Sequence, residues 1–261
     1  MLVNGNVLII MKYFEVYQDK KFMMENFMEI YVVKIFDISE EELDKLCLLI
    51  DSEKSYKIKK LINKKDKIRT LIGEILIRKI VIENLKINNK HIRFNKNQYG
   101  KPYLKGYPNF NFNISHSGEY VLCAIDDKPI GVDIEEIKHL EFEEIAKNFF
   151  TEKEFQYIAN KDSKSKLDRF YEIWTLKESY IKFCGQGLSM PLKSFSIEID
   201  QYENIKVISN SENKEYTFKL FDIDLGYKVA VCSLNKKISN NIIRLEQNCL
   251  IENILDLILN R

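Results

Sequence analysis

The stretch HIRFNKNQYGKPYLKGYPNFNFNISHSGEYVLCAIDDKPIGVDIEE, residues 91–136, decides the fold class. Short apolar or alternating runs at 91–94, 102–104, 110–114 and 120–126 read as strands separated by glycine and proline turns. Ile130 to Ile134 forms another. Upstream the texture differs. Residues 30–36 alternate like a strand, and Ser39 ahead of Glu40, Glu41 and Glu42 is a capped helix start. From 53 to 86, Ile58, Leu61, Ile62, Ile68, Leu71, Ile72, Ile75, Leu76 and Ile80 recur at helical spacing, predicting helices broken near Asn63. Gly73, mid-helix, marks close packing. Downstream, helices are expected around 141–149, 152–160 and 165–183, then strands near 194–199, 216–221 and 227–234.

Helices followed by strands therefore occur twice. The fold class is α+β, with two similar halves joined near 127–130. No short internal repeat accompanies this symmetry, so it is a statement about topology. The expected boundaries are an N-terminal half at 28–128, a C-terminal half at 129–236 and a tail at 237–261 with a short amphipathic helix. Residues 1–27 read as an extension outside the domain, because Met28 opens the strand-like EIYVVKIF where ordinary patterning begins. The start has a short apolar patch but neither a basic segment nor a small-residue cleavage site, which argues against a signal peptide.

The 261 residues, 45% of them hydrophobic, suffice for a sizeable core and exclude a disordered chain. Glycine and proline number nine and four, about half the usual share. All four prolines and six of the glycines fall between positions 100 and 191, so shaped backbone is concentrated there. A formal charge of +1 argues against a nucleic-acid partner. The sum hides an asymmetry. Between Asp51 and Arg69 eight basic residues stand against three acids, and between Asp133 and Glu154 eight acids stand against three lysines. Two solvated helical faces would look this way, and so would a site for a polyanion and its bridging metal. Five cysteines (47, 123, 184, 232 and 249) without a C-x-x-C argue against zinc and disulfides and for a reducing cytoplasm. Cys123, in an apolar run, reads as a buried small hydrophobe. No apolar run approaches the ~20 residues that span a bilayer, so no membrane partner is expected.

Four constellations carry chemistry. In Ile130-Gly131-Val132-Asp133-Ile134-Glu135, strand alternation puts both carboxylates on one face, where they suit either a hard cation such as Mg²⁺ or a wet sheet face. On the helix through Phe170 to Cys184, Trp174, Glu178 and Lys182 share one stripe, with Ile173 and Ile181 nearby to draw Glu178 toward the core's edge. In Phe110-Asn111-Phe112-Asn113-Ile114-Ser115-His116-Ser117-Gly118, Phe110, Phe112 and Ile114 form a buried face. The remainder reads as a polar turn, either simply capped or able to hold a phosphate. Gly100-Lys101-Pro102 is a tight turn presenting a lysine. There is no G-x-S-x-G elbow, no Walker A sequence and no dinucleotide fingerprint.

Taken in order, Y-G-K-P at 99–102, F-N-I-S-H-S-G at 112–118, I-G-V-D-I-E at 130–135, F-F-T-x-x-E at 149–154 and W-x-x-K-E-S-Y-I-K at 174–182 resemble the 4′-phosphopantetheinyl transferases. Order and spacing are similar to the larger type that activates peptide synthetases such as surfactin synthetase. The resemblance covers about 28–235. It implies two α/β halves related by pseudo-two-fold symmetry, with the active site in the cleft between them. It implies transfer of the phosphopantetheine arm of coenzyme A to a serine of an apo carrier protein (peptidyl, acyl or polyketide), leaving 3′,5′-ADP. It further implies Mg²⁺, or Mn²⁺ in its place, held by Asp133, Glu135 and Glu178, and Lys182 near the diphosphate. Lys101, Pro102, Ser115 and His116 match positions around the nucleotide, and Lys54 and Lys57 lie where the larger type adds cationic contacts. The general base is Glu154 or Glu178. A carboxylate beside a metal has a low pKa, which favours Glu154. A monomer is expected. Two rivals stand beside this reading: another Mg²⁺-dependent nucleotide or pyrophosphate-cleaving enzyme, and a carrier-binding module without catalysis.

Overall fold

The computed structural model describes residues 28–159, 165–209 and 215–259, so the expected extension at 1–27 lies outside the described residues. Strand β1, Glu29–Lys34, is buried over four consecutive residues because both its faces are covered. It lies between β5, Tyr120–Asp126, which is antiparallel to it, and β11, Ile242–Glu246, which is parallel. β4, Asn111–Ser117, completes this sheet in the order β11-β1-β5-β4. Ser39 caps α1, Glu40–Leu46, by accepting from Glu42 N–H at 3.1 Å. α2, Ser52–Lys59, and α3, Lys64–Leu85, break at Asn63, whose side chain accepts from Lys65 N–H at 2.8 Å. A Cβ on Gly73 would come within 3.3 Å of Ile114, so the close packing expected of that glycine is present where α3 meets the sheet.

β2, Phe94–Lys96, and β3, Pro102–Leu104, form a short hairpin. The second half opens with β6, Ile130–Glu136, and continues through α4, Phe142–Phe149, α5, Glu152–Ala159, and α6, Lys166–Cys184. A hairpin of β7, Phe195–Ile199, and β8, Ile205–Ser209, precedes β9, Thr217–Phe221, and β10, Tyr227–Ser233. The second sheet has the order β6-β10-β9. In each half a strand leads into helices, then a small hairpin, then an antiparallel pair whose last strand joins the first.

Three cores stack through the molecule. α3 packs Leu71, Ile75 and Ile82 against Val33, Val121 and Cys123 of the first sheet. The opposite face of that sheet, Ile30, Val32 and Leu122, meets Ile130, Val132, Ile134 and Val231 of the second. The outer face of the second sheet, Ala230 and Cys232, meets Ile173, Leu176 and Tyr180 of α6. Period two on β6 therefore buries its even residues between the sheets and turns Gly131, Asp133 and Glu135 toward α6.

The tail holds a helix and packs against the first half, and one expectation about β4 needs correction. β11 extends the first sheet beside β1, and α7, Gln247–Leu259, buries Leu250, Ile251 and Ile254 in the core of α3. The Ser115–Ser117 segment is not a turn but the end of β4, because it stays paired with β5 as far as Ser117 opposite Tyr120, while its hydroxyls reach β6. The turn is confined to Gly118 and Glu119, with Gly118 at φ +55°.

Candidate active site

The acidic strand and the charged helix meet because position 131 is glycine. A Cβ there would lie 2.0 Å from the Ser179 carbonyl oxygen and 2.4 Å from the Phe183 nitrogen, so α6 backbone rests directly on β6. That contact sets Glu178 and Lys182, one turn apart, beside Asp133. Lys182 Nζ donates to Asp133 Oδ1 at 2.6 Å and to Ser115 Oγ at 2.7 Å. Ser115 Oγ donates to the same Oδ1 at 2.9 Å. Ser117 Oγ donates to Glu135 Oε2 at 3.0 Å.

The electrostatics of the acids are those of crowded negative charge. Burial pushes the Asp133 carboxyl above its ordinary range, opposed by Lys182. Burial, then the charge of Asp133, raises Glu135 to about 7, opposed by hydrogen bonds from Ser117 and Trp174. The same two causes raise Glu178. All three are oxygen donors, the type that Mg²⁺ and Mn²⁺ prefer. Asp133 Oδ2 is buried without a hydrogen-bond partner, an acceptor facing no donor. The donor set therefore fits a hard divalent cation. Among the described residues no three metal-binding side chains are gathered closely enough to form a ready-made cage. The Lys182 ammonium occupies Asp133 Oδ1 and partly balances the charge.

Glu154 is not with these acids. It is wholly buried on α5, accepting from Lys177 Nζ at 2.6 Å and Ile197 N–H at 2.7 Å through Oε1, and from Thr151 N–H at 2.8 Å through Oε2. Lys101 does not present its amine outward. Its Nζ donates to the carbonyls of Ile130 and Phe183 at 3.0 and 3.2 Å, binding the loop before β3 to the C-terminus of α6, and burial lowers its pKa to about 8. Pro102, beside it, opens β3. His116 is exposed at the end of β4. Desolvation at the ring, then the charge of Arg69, holds its pKa below the usual value. On α2, Lys54 lies 3.9 Å from Glu74 and Lys57 pairs with Glu53, both reachable by solvent.

Three neighbours of these residues escaped the sequence reading. Ser117 holds Glu135, Lys177 holds Glu154, and Arg69 donates to the Gly118 carbonyl at 2.8 Å while its charge reaches His116. The period-two run Asn113, Ser115, Ser117 was the available signal for the first. Lys177 and Arg69 carry no signal apart from the fold.

Each half matches a family model. Residues 36–128 match that of the 4′-phosphopantetheinyl transferase N-terminal region, and residues 129–232 match that of the 4′-phosphopantetheinyl transferase superfamily. Two such parts in tandem around one acidic site define a two-part group-transfer enzyme. Curated relatives agree. The chain is 39% identical over 196 residues to 4′-phosphopantetheinyl transferase Sfp of Bacillus subtilis (strain 168), covering 75% of this chain and 87% of that protein. It is 40% identical over 193 residues to 4′-phosphopantetheinyl transferase gsp of Aneurinibacillus migulanus, covering 73% and 79%. It is 36% identical over 204 residues to the L-aminoadipate-semialdehyde dehydrogenase-phosphopantetheinyl transferase of Homo sapiens, covering 70% and 66%. The chain belongs to the 4′-phosphopantetheinyl transferase superfamily, and it is of the larger, two-part type that its motifs imply.

Proposed function

We propose that this enzyme moves the phosphopantetheine arm of coenzyme A onto a serine hydroxyl of an apo carrier protein, releasing 3′,5′-ADP. The single observation that carries the proposal is the meeting of Asp133, Glu135, Glu178 and Lys182 where the two halves abut, with one buried carboxylate oxygen unpartnered. Asp133 and Glu135 would hold Mg²⁺ or Mn²⁺, with Glu178, its carboxyl raised by burial and by Asp133, beside them as the base. When bound, such a cation neutralises diphosphate charge and polarises the attacked phosphorus. The duplicated topology supports a pseudo-two-fold relation between residues 28–128 and 129–236, with the site in the cleft between them.

The chain's own residues divide the remaining work. An ammonium carries three donors. Lys182 uses two on Asp133 and Ser115, leaving one for a phosphate oxygen or the leaving group. Glu178, half-buried and facing the same site, takes the serine proton. Glu154 is unsuited to this step because both its oxygens are occupied and its partner Lys177 is equally sealed from solvent. His116 and neighbouring Arg69 supply cationic and hydrogen-bonding groups for the nucleotide phosphate, and Lys54 and Lys57 add exposed positive charge. Lys101 and Pro102 act from behind, by fixing the seam and the end of α6. No disulfide joins the cysteines of the described residues, which supports a reducing cytoplasm, and the chain is read as a monomer.

The test is incubation of the full chain with coenzyme A, Mg²⁺ and several apo carriers, followed by intact-mass measurement. One or more carriers are expected to gain the arm with release of 3′,5′-ADP. Hydrolysis of coenzyme A with no carrier modified would instead identify a pyrophosphate-cleaving enzyme.

A further inference from the structure

β4 and β6 run side by side in the same direction but share no ladder of backbone bonds. Side chains replace it. Asn113 Oδ1 accepts from Val132 N–H at 2.8 Å, Ser115 Oγ from Ile134 N–H at 3.3 Å and Ser117 Oγ from Glu136 N–H at 3.1 Å. The register advances by two on both strands, so each alternate amide on the free edge of β6 finds one side-chain oxygen. The other edge of β6 is occupied by β10. Without those oxygens the amides would face the seam unsatisfied, at a cost of about 1–3 kcal/mol each when buried.

A hydroxyl has one proton and two lone pairs. Once the backbone amide approaches an oxygen lone pair, the serine proton is directed elsewhere, and here it meets a carboxylate. Ser115 donates to Asp133 and Ser117 to Glu135. The amide of the residue following each acid thus sets the direction in which the serine holds that acid. We infer that Ser115 and Ser117 are positioning residues that aim the Asp133 and Glu135 carboxylates toward the cation. This rests on the proposed cation site. Such outer partners of metal-binding carboxylates typically change metal affinity about 10–100-fold when removed. Ser115 also touches Lys182, whereas the Ser117 hydroxyl bonds Glu135 and Glu136, so Ser117 gives the cleaner test.

The experiment is a Mn²⁺ titration of the full chain, followed by paramagnetic resonance of the free ion, with metal-free melting recorded for every variant. Ser117→Ala is expected to weaken Mn²⁺ binding about 10-fold or more while remaining folded. Ser117→Thr, which keeps the hydroxyl, is expected to stay within about threefold of the native affinity. Should the alanine variant not fold, Ser117→Thr against Ser117→Val makes the same comparison, since the two differ by a hydroxyl and a methyl. Asp133→Asn is expected to lose binding. Native affinity in Ser117→Ala or Ser117→Val, with binding lost in Asp133→Asn, overturns the positioning role and leaves the cation site standing. Undiminished Mn²⁺ binding in Asp133→Asn removes the cation site, and the inference with it.

Discussion

Lys177 and Glu154 form an ion pair in which neither side chain reaches solvent, Nζ to Oε1 2.6 Å. The pair joins α5 to α6 one residue before Glu178, so the acid of F-F-T-x-x-E anchors the helix that carries the site. Removing one member leaves the other charge buried and uncompensated. Glu154→Ala is expected to lose about 3–5 kcal/mol of stability, measured by denaturant unfolding. Glu154→Leu combined with Lys177→Met should recover part of this. The amides of Thr151 and Ile197 would still lack their acceptor, so recovery will be incomplete. Substantial transfer activity in that double variant would separate anchoring from base catalysis.

The raised carboxyls make metal-free stability depend on pH with a definite sign. Glu135 goes from 4.5 to about 7 in the folded protein, so between those values the folded chain holds a proton that the unfolded chain has released. Stability from this group is therefore present at low pH and falls as pH rises through the interval. Asp133 and Glu178 act in the same direction. Asp126, raised to about 7 by burial and by Asp127, contributes likewise from a separate cluster with Ser233 and Asn235. Melting in chelator from about pH 5 to about pH 7.5 should show this decline. Mg²⁺ should diminish the share of the site acids and leave that of Asp126, which Asp126→Asn should remove.

Gly131 is the contact point between β6 and α6. Gly131→Ala would force a methyl into the Ser179 carbonyl, displacing the helix and both Glu178 and Lys182. A loss of about 3 kcal/mol or more is expected from such overpacking against backbone, read by denaturant unfolding. Gly226→Ala is a useful control, because a Cβ there meets nothing within 4 Å although φ is +79°. Its smaller loss would measure backbone strain alone.

Deleting residues 242–261 should expose the outer edge of β1 and uncover the α3 surface under Leu250, Ile251 and Ile254. The expected outcome is aggregation or a clearly lower melting temperature, by light scattering and calorimetry, because an uncovered apolar edge strand recruits other chains.

Much of the site was legible because it follows local periods. Asp133 and Glu135 are two apart on a strand, and Trp174, Glu178 and Lys182 are four apart on a helix, so each set shares a face before any tertiary contact is known. The break at Asn63 and the cap at Ser39 are equally local. What local pattern could not reveal was who pairs with whom. Ser115 to Ser117 reads as a turn by composition, and only its pairing with β5 makes it a strand. Glu154 has the spacing of a catalytic acid, but its buried partner is Lys177, 23 residues away. Lys101 sits in a turn that looks outward, yet it is drawn in by carbonyls of Ile130 and Phe183. The tail has a helical pattern, but its place beside β1 and α3 depends on a chain that returns to its first half.

The most direct measurement is intact-mass analysis of an apo carrier incubated with coenzyme A and Mg²⁺, using the native chain and Asp133→Asn side by side. The native chain is expected to add the phosphopantetheine arm to the carrier serine. Asp133→Asn is expected to be folded and slower by on the order of 10²–10³, the loss seen when a group that stabilises transition-state charge is removed. Equal rates for the two proteins, or no carrier modified by a native chain that binds coenzyme A, would contradict it.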